Sequence, residues 1–415
     1  MKKATKRLVA AALATLMATS MCATFTGCGD DNTTETTGGP IITMPNETTD
    51  TTESTGVGET TSSTTGGGTI VNPPVTMKGM NVLTGEPSVN NLSYTRPVAI
   101  VVDNNPLAYA NQTGLDQADV LYEALVAPGI TRFVMVTADY TQLDSVCNIR
   151  SGRDYHLDFA AFHNAVLVCH GGSITSNYDF YSLAAARLGS RWGYVDTMFE
   201  KWFSVDAYGE VYGTIGNYGD RVDLKYDTIF KPDAMDALLE GNSKFVTEAG
   251  GSLIGSTKES LKFVDYNTQK EMSGGSSATT VELLFKCQGS SNAKSVSFQY
   301  DALSGKYLRN QDGAAHMDSE TGKQLAFTNV VTLFTDVKAV STGITNDPSM
   351  TLVETMGTGY GYYFHNGKAI NIKWTSDGSV LKLTDDHGEE LKLATGNTYI
   401  GYLDISYLAN GAFWN

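Results

Sequence analysis

Beyond residue 76 the chain divides by the period of its apolar positions. Val98-Ala-Ile-Val-Val102 is an unbroken β-branched run that stops at Asp103-Asn104-Asn105-Pro106, the pattern of a buried strand closed by a turn. Leu115, Ala118, Leu121, Tyr122 and Leu125 fall at helical spacing, so the pattern predicts a helix over 116–126, ended by Pro128-Gly129. Phe133 to Thr137 reads as a second strand, Tyr155 to Ala165 as a helix, Ala165 to Cys169 as a third strand and Asn177 to Leu188 as another helix. Strands alternating with helices predict an α/β domain over 77–265, with a largely parallel sheet flanked by helices.

Past the linker-like Ser273-Gly-Gly-Ser-Ser277 the period changes to two, as in Ser295-Val-Ser-Phe-Gln-Tyr300. Turn pairs at Asn366-Gly367, Asp377-Gly378 and His387-Gly388 separate short alternating runs, and Val330 to Phe334 is apolar throughout. Residues 275–415 therefore read as a mostly antiparallel β domain. Ser304-Gly305-Lys306 and Thr321-Gly322-Lys323 lack the upstream glycine and the strand-to-helix setting of a phosphate loop, so they read as hairpin turns. The aromatics of Tyr360-Gly-Tyr-Tyr-Phe364 suit cross-strand packing better than a sugar platform.

The first 76 residues lack both patterns. Lys2, Lys3, Lys6 and Arg7 precede an apolar run from Leu8 to Met21, too short to span a bilayer, and Phe25-Thr-Gly-Cys28 follows. A small residue before a cysteine resembles the bacterial lipobox. Residues 1–27 thus read as a lipoprotein signal peptide with Cys28 as the lipidated residue, an ordinary secretory signal being the alternative. From Cys28 to Thr76 there are 16 Thr, seven acids and no Lys or Arg, a composition that cannot bury enough apolar surface to offset ordering. This tether over 28–76 has a reach of roughly 35–42 Å. The expected location is lipid-anchored on the outer face of the cytoplasmic membrane, extracytoplasmic.

Charge narrows the function classes. The chain is −16 overall, and the acidic excess grows once the cationic signal is removed, which excludes the basic face that a nucleic-acid partner needs. Cys147, Cys169 and Cys287 lie outside any zinc spacing. Cys147 with Cys169 is the one conceivable disulfide, and buried free thiols are the alternative. No metal or cofactor is expected.

In α/β sheets ligands gather beyond the carboxyl ends of the strands. Three loops qualify: Asp103-Asn104, Arg150-Ser151-Gly152-Arg153-Asp154 and His170-Gly171-Gly172-Ser173. Paired arginines offer forked donors to carboxylate or phosphate, and the glycines let backbone amides approach an anion. Ser151 and Asp154 form a capping-box-like pair. Glu123 and Arg132 fall at the opposite edge if the second strand is parallel, and then read as a structural ion pair; if that strand is antiparallel, they join the site.

Leu83-Thr-Gly85, Asp103-Asn104, Tyr122-Glu123, Gly129-Ile-Thr-Arg132, Arg150-Ser-Gly-Arg153 and His170-Gly-Gly-Ser173, followed by Tyr307-Leu-Arg309, His316, Asp318 and Thr321-Gly322, resemble the YerB-like lipoproteins of Gram-positive bacteria. The resemblance covers nearly everything beyond the tether and implies an envelope lipoprotein with a two-part domain and no established reaction. It departs where the family carries a histidine and an arginine, here Asn105 and Tyr109, and where Gly-Pro-Val is usual, here Cys147-Asn148-Ile149. Two functions follow, beside a third reading in which the three loops are only an internal polar network, the outcome expected if the arginines are already paired with Asp103 and Asp154. The first is a binding protein that takes an anionic wall fragment or an envelope protein at Arg150, Arg153 and Gly171-Gly172. The second is a hydrolase of wall glycan or ester that uses Asp103 and His170.

Overall fold

The structure is a computed structural model that describes residues 79–188 and 260–415, apart from positions 94, 176–177 and 343–349, together with 194–196, 212–214, 228–230, 232 and 235. The expected signal peptide over 1–27, Cys28 and the expected tether over 28–76 lie outside the described residues. In chain order the main elements are β1 Val98–Asn104, β2 Val120–Ala127, β3 Ile130–Thr137, α1 Asp154–Ala161, β4 Val166–Cys169, α2 Phe180–Leu188 and β5 Tyr194–Asp196. There follow β6 Thr280–Lys286, β7 Ala293–Asp301, β8 Lys306–Gln311, β9 Asn329–Thr335, β10 Gly357–His365, β11 Lys368–Ser376 and β12 Thr398–Asp404.

Nine of these strands form one sheet in the order β11-β10-β9-β12-β2-β3-β1-β4-β5. The N-terminal segment mixes strands and helices and the C-terminal segment is almost wholly strand, as the two periodicities predict. Both segments nevertheless contribute to this one sheet, because β12 runs parallel to β2. Pairing is parallel for β1–β4 and β4–β5 and antiparallel for β1–β3 and β2–β3, so the N-terminal part of the sheet is mixed. Helix α1 packs on β1 and β3 from one side, and β6 and β7 pack on β2 and β3 from the other. With both faces covered, β1, β2 and β3 are apolar almost throughout. By contrast β6 and β7 alternate buried and exposed positions, the mark of a sheet with one solvated face.

The expected helix over 116–126 is instead a short 3₁₀ turn, Leu115–Gln117, followed by strand β2. Seven of the eight β2 residues are buried, and a strand covered on both faces loses the period of two that would have distinguished it from a helix. Gly129, at φ +76°, turns β2 into β3, so Pro128-Gly129 marks a hairpin and not a helix end. Strands β10 and β11 meet at Asn366-Gly367, both at positive φ, as that pair predicts. Tyr363 and Phe364 are buried, and Tyr362 packs edge-on to Phe334 and against Trp414, which leaves Tyr360 as the exposed aromatic of that run. Cys147, Cys169 and Cys287 are buried free thiols, and no disulfide links Cys147 to Cys169.

One ion pair ties the two segments together. Glu123 on β2 and Arg309 on β8 are both fully buried, with Arg309 Nη2 2.6 Å from Glu123 Oε2. The carboxylate also accepts from Tyr399 Oη at 2.7 Å, Thr131 Oγ1 at 2.6 Å and Asn104 Nδ2 at 3.1 Å. Arg309 Nη1 donates to Gln311 Oε1 at 3.1 Å and to His316 Nδ1. The other ring nitrogen of His316 therefore carries the proton and donates to Gln112 Oε1 at 2.8 Å. Burial, and then the Arg309 charge, hold His316 well below its ordinary range, so it stays neutral. Gln112 Nε2 in turn donates to the main-chain oxygen of Asp103 at 2.6 Å.

A buried pair with this many satisfied donors is costly to break from one side. Arg309→Met is expected to lower unfolding free energy by about 3–5 kcal/mol in urea titration, and adding Glu123→Leu to recover much of that loss. A cost below about 1 kcal/mol for the single variant would show that the link is not structural.

Candidate arginine site at the end of β1

Strand β1 ends in two polar residues whose side chains point to opposite faces. Asp103 is paired in register with Arg132 on β3, and Asn104 with Thr131. Directly opposed residues share a face, so Asp103 and Arg132 turn toward α1 while Asn104 and Thr131 turn toward Glu123. Glu123 itself opposes Phe133, and Arg132 opposes Ala124, which sends Glu123 and Arg132 to opposite sides of the sheet. The expected Glu123–Arg132 ion pair is therefore corrected: Glu123 pairs with Arg309, and Arg132 belongs to the Asp103 side. Because β3 is antiparallel to β1, its start lies beside the end of β1, the condition under which Arg132 joins the site. Asn104 leaves the expected loop cluster for the same geometric reason.

The segment before α1 runs alongside the end of β1. The Asp103 amide donates to Asn148 O and the Arg150 amide to Val101 O, both at 2.9 Å. This brings Arg150 Nε to 3.0 Å from Asp103 Oδ2, with Arg132 Nε 3.9 Å from Oδ1. Asp103 is 1% exposed. Arg132 Nη1 donates to Ser151 O at 2.7 Å, and Arg153 Nη1 to Gly152 O at 3.1 Å.

Arg153, not Ser151, precedes the first turn of α1. Its amide donates to His156 Nδ1 at 3.1 Å, and the Asp154 amide donates to Tyr178 Oη at 2.8 Å. The same Tyr178 hydroxyl donates to Asp154 Oδ1 at 2.8 Å. The start of α1 is thus closed by its own side chains, and the capping role expected of Ser151 with Asp154 passes to His156 and Tyr178.

The third loop is pinned to the second through main-chain bonds. The His170 amide donates to Arg150 O at 3.0 Å and the Gly152 amide to Gly171 O at 2.8 Å. Ser173 O accepts from the Phe180 amide at 3.0 Å. Gly152 and Gly172 are both occupied by the Phe180 ring: a Cβ on Gly172 would sit 2.2 Å from its Cδ1, and one on Gly152 2.8 Å from its Cζ. Close packing against Phe180, not backbone approach to an anion, is what requires glycine there. His170 is half-buried, and Asp103 is engaged by Arg150, Arg132 and the Asn105 amide rather than by His170. At the two positions where the resemblance implied a histidine and an arginine, Asn105 Oδ1 caps a 3₁₀ turn through the Leu107 amide, and Tyr109 Oη donates to Asp312 Oδ2 at 2.6 Å.

Electrostatically this cluster is over-supplied with cations. Arg132 and Arg150 face Asp103, Arg153 lies close enough to Arg132 for their charges to interact, and Asp154 is held by Tyr178. Arg132 is pushed down from the usual arginine range by burial and then by the Arg153 charge. His156 falls well below its ordinary range from burial, then Arg132, then Arg153, and is neutral. Arg153 is 7% exposed and has no ion-pair partner among the described residues. Buried nitrogens without a hydrogen-bond partner among those residues include Arg132 Nε, Arg153 Nε and His156 Nε2, which must carry the ring proton because Nδ1 accepts. Arg132 and His156 were the contributions hardest to see in the sequence. The signal for Arg132 was the hairpin glycine at 129, which fixes the direction of β3.

Two family models match in order, the N-terminal domain of a protein of unknown function (DUF3048) over residues 83–191 and its C-terminal domain over 285–400. A Bacillus subtilis (strain 168) protein named as a lipoprotein, YerB, is 25% identical over 343 residues, covering 81% of this chain and 91% of that one. The crystal structure of Bacillus subtilis YerB superposes with a TM-score of 0.61 at 21% identity, over 81% of this chain and 100% of that chain, and so shares the fold. With both domains matched over more than half of its length, the chain belongs to the YerB-like DUF3048 family.

Proposed function

We propose that this protein is a lipid-anchored, extracytoplasmic envelope protein whose body binds an anionic ligand between Arg132, Arg150 and Arg153. The anchor rests on the Cys28 context and on the lipoprotein name of its Bacillus relative. One observation carries the binding site: the Arg153 guanidinium is more than nine-tenths buried with no counter-ion among the described residues. Removing a cation from water costs several kcal/mol unless a partner offsets it, and an anionic ligand is such a partner. Arg153 Nη1 is already taken by Gly152 O, so its Nε edge is the side left for that ligand. A guanidinium edge suits the two oxygens of a carboxylate or phosphate group. Since the chain is strongly acidic, local arginines must hold what the long-range field repels. Wall fragments and envelope proteins both carry such groups.

Hydrolysis by Asp103 and His170 is the weaker reading. A general base needs a carboxylate that can reach a substrate proton. Asp103 is 1% exposed and neutralised by Arg150 and Arg132, a position suited to orienting arginines. Asn105, standing where the family carries a histidine, supplies no base.

The test uses the full chain in detergent with inorganic phosphate as the probe anion. About 10 mM phosphate is expected to raise the melting temperature of the wild type by about 3 °C at constant ionic strength, and to leave Arg153→Met unmoved. Without phosphate the variant is expected to melt no lower than the wild type, because an uncompensated buried charge has been removed. A variant that is strongly destabilised yet still responds to phosphate would make Arg153 a structural residue.

A further inference from the structure

A second polar cluster lies where the turn after β8 meets the 3₁₀ turn Leu115–Gln117. Asp318 Oδ1 accepts the amides of Glu320 at 3.0 Å and Thr321 at 3.1 Å, which folds residues 318–322 into a tight turn with Gly322 at φ +66°. Thr321 Oγ1 then donates to Asp116 Oδ2 at 3.1 Å. Thr321 thus holds two carboxylates from distant parts of the chain close together, one through its amide and one through its hydroxyl. The Asp318 residue is 1% exposed and the Asp116 side chain 8%. Their remaining oxygens, Asp116 Oδ1 and Asp318 Oδ2, are buried with no hydrogen-bond partner among the described residues. The cation near them, Lys323, is 74% exposed and stands 3.8 Å from Asp116 Oδ2, too far and too solvated to neutralise both.

Two buried carboxylates with orphaned oxygens repel each other unless one takes up a proton or a cation sits between them. We infer that Asp116 and Asp318 form a calcium site that clamps the C-terminal 318–323 turn onto the N-terminal 3₁₀ turn. The donors are all hard oxygens, which suits Ca²⁺ over transition metals. No group of three or more His, Cys, Asp or Glu side chains with ligating geometry occurs among the described residues, so the other positions fall to neutral oxygens and water, and an irregular set of that kind suits the flexible coordination of Ca²⁺ better than the strict octahedron of Mg²⁺. Extracellular calcium modules work in the millimolar range, so a site with two carboxylates is strong enough outside the membrane. The same junction is stitched by Ser319 N to Gln112 O at 2.9 Å and by Ser145 Oγ to Glu320 Oε2 at 3.0 Å, so an ion there would stabilise a contact already in place.

The experiment is thermal melting of the chelator-treated full chain in detergent, with CaCl₂ added to about 2 mM at constant ionic strength. The wild type is expected to gain about 3 °C, and Asp318→Asn and Asp116→Asn to gain nothing. In Asp318→Asn the amide oxygen can keep both turn bonds while its NH₂ donates to Asp116, so without calcium that variant is expected to melt at or above the wild type. Calorimetry of the wild type should give one calcium per chain. No calcium-dependent shift in the wild type, or an undiminished shift in both variants, would overturn the site.

Discussion

The antiparallel register of β1 against β3 governs the chemistry of this protein. It sets Asp103 opposite Arg132 and Asn104 opposite Thr131, so one strand end feeds two polar systems on two faces of the same sheet. A slip of one residue would exchange them, placing an aspartate against Glu123 and removing the carboxylate that orients the arginines. Gln112 reinforces the register by binding both the Asp103 carbonyl and the Asn104 side chain, and it is reached from the C-terminal segment through His316. The geometry of the arginine cluster thus depends on a network that begins at Arg309.

The two systems differ in how they handle buried charge. Around Glu123 the carboxylate takes donors from Arg309, Tyr399, Thr131 and Asn104, the ions balance one to one, and the arginine lies over the Phe133 ring at 5.0 Å with its Nε left without a hydrogen-bond partner among the described residues. Such a network specifies how two distant segments dock. Around Asp103 the cations outnumber the carboxylate: Arg150 and Arg132 share Asp103, Arg153 beside Arg132 has no ion-pair partner among the described residues, and Arg132 Nε and Arg153 Nε lack hydrogen-bond acceptors there.

Much of the scaffold was legible because local pattern and tertiary setting agreed. Val98 to Val102 had to be a buried strand, and Asn366-Gly367 a hairpin turn. The strand at 120–127 was misread because a run buried on both faces offers the same apolar positions to a helix. That misreading obscured the orientation of β3 and with it the role of Arg132. Arg150 and Arg153 were visible from their spacing before a helix, yet the glycines of the third loop proved to be seats for Phe180, a long-range packing demand without a local signature. Arg309 could not be matched to Glu123 from sequence at all, since 186 positions separate them.

A high-resolution crystal structure of the protein grown in phosphate tests most directly whether the arginine cluster is a binding site. The expected result is an anion within hydrogen-bonding distance of Arg153 Nε and near Arg132 Nε, with Asp103 still on Arg150. A carboxylate of the chain itself against the Arg153 edge, with no anion bound, would contradict it and make the cluster a closed structural network.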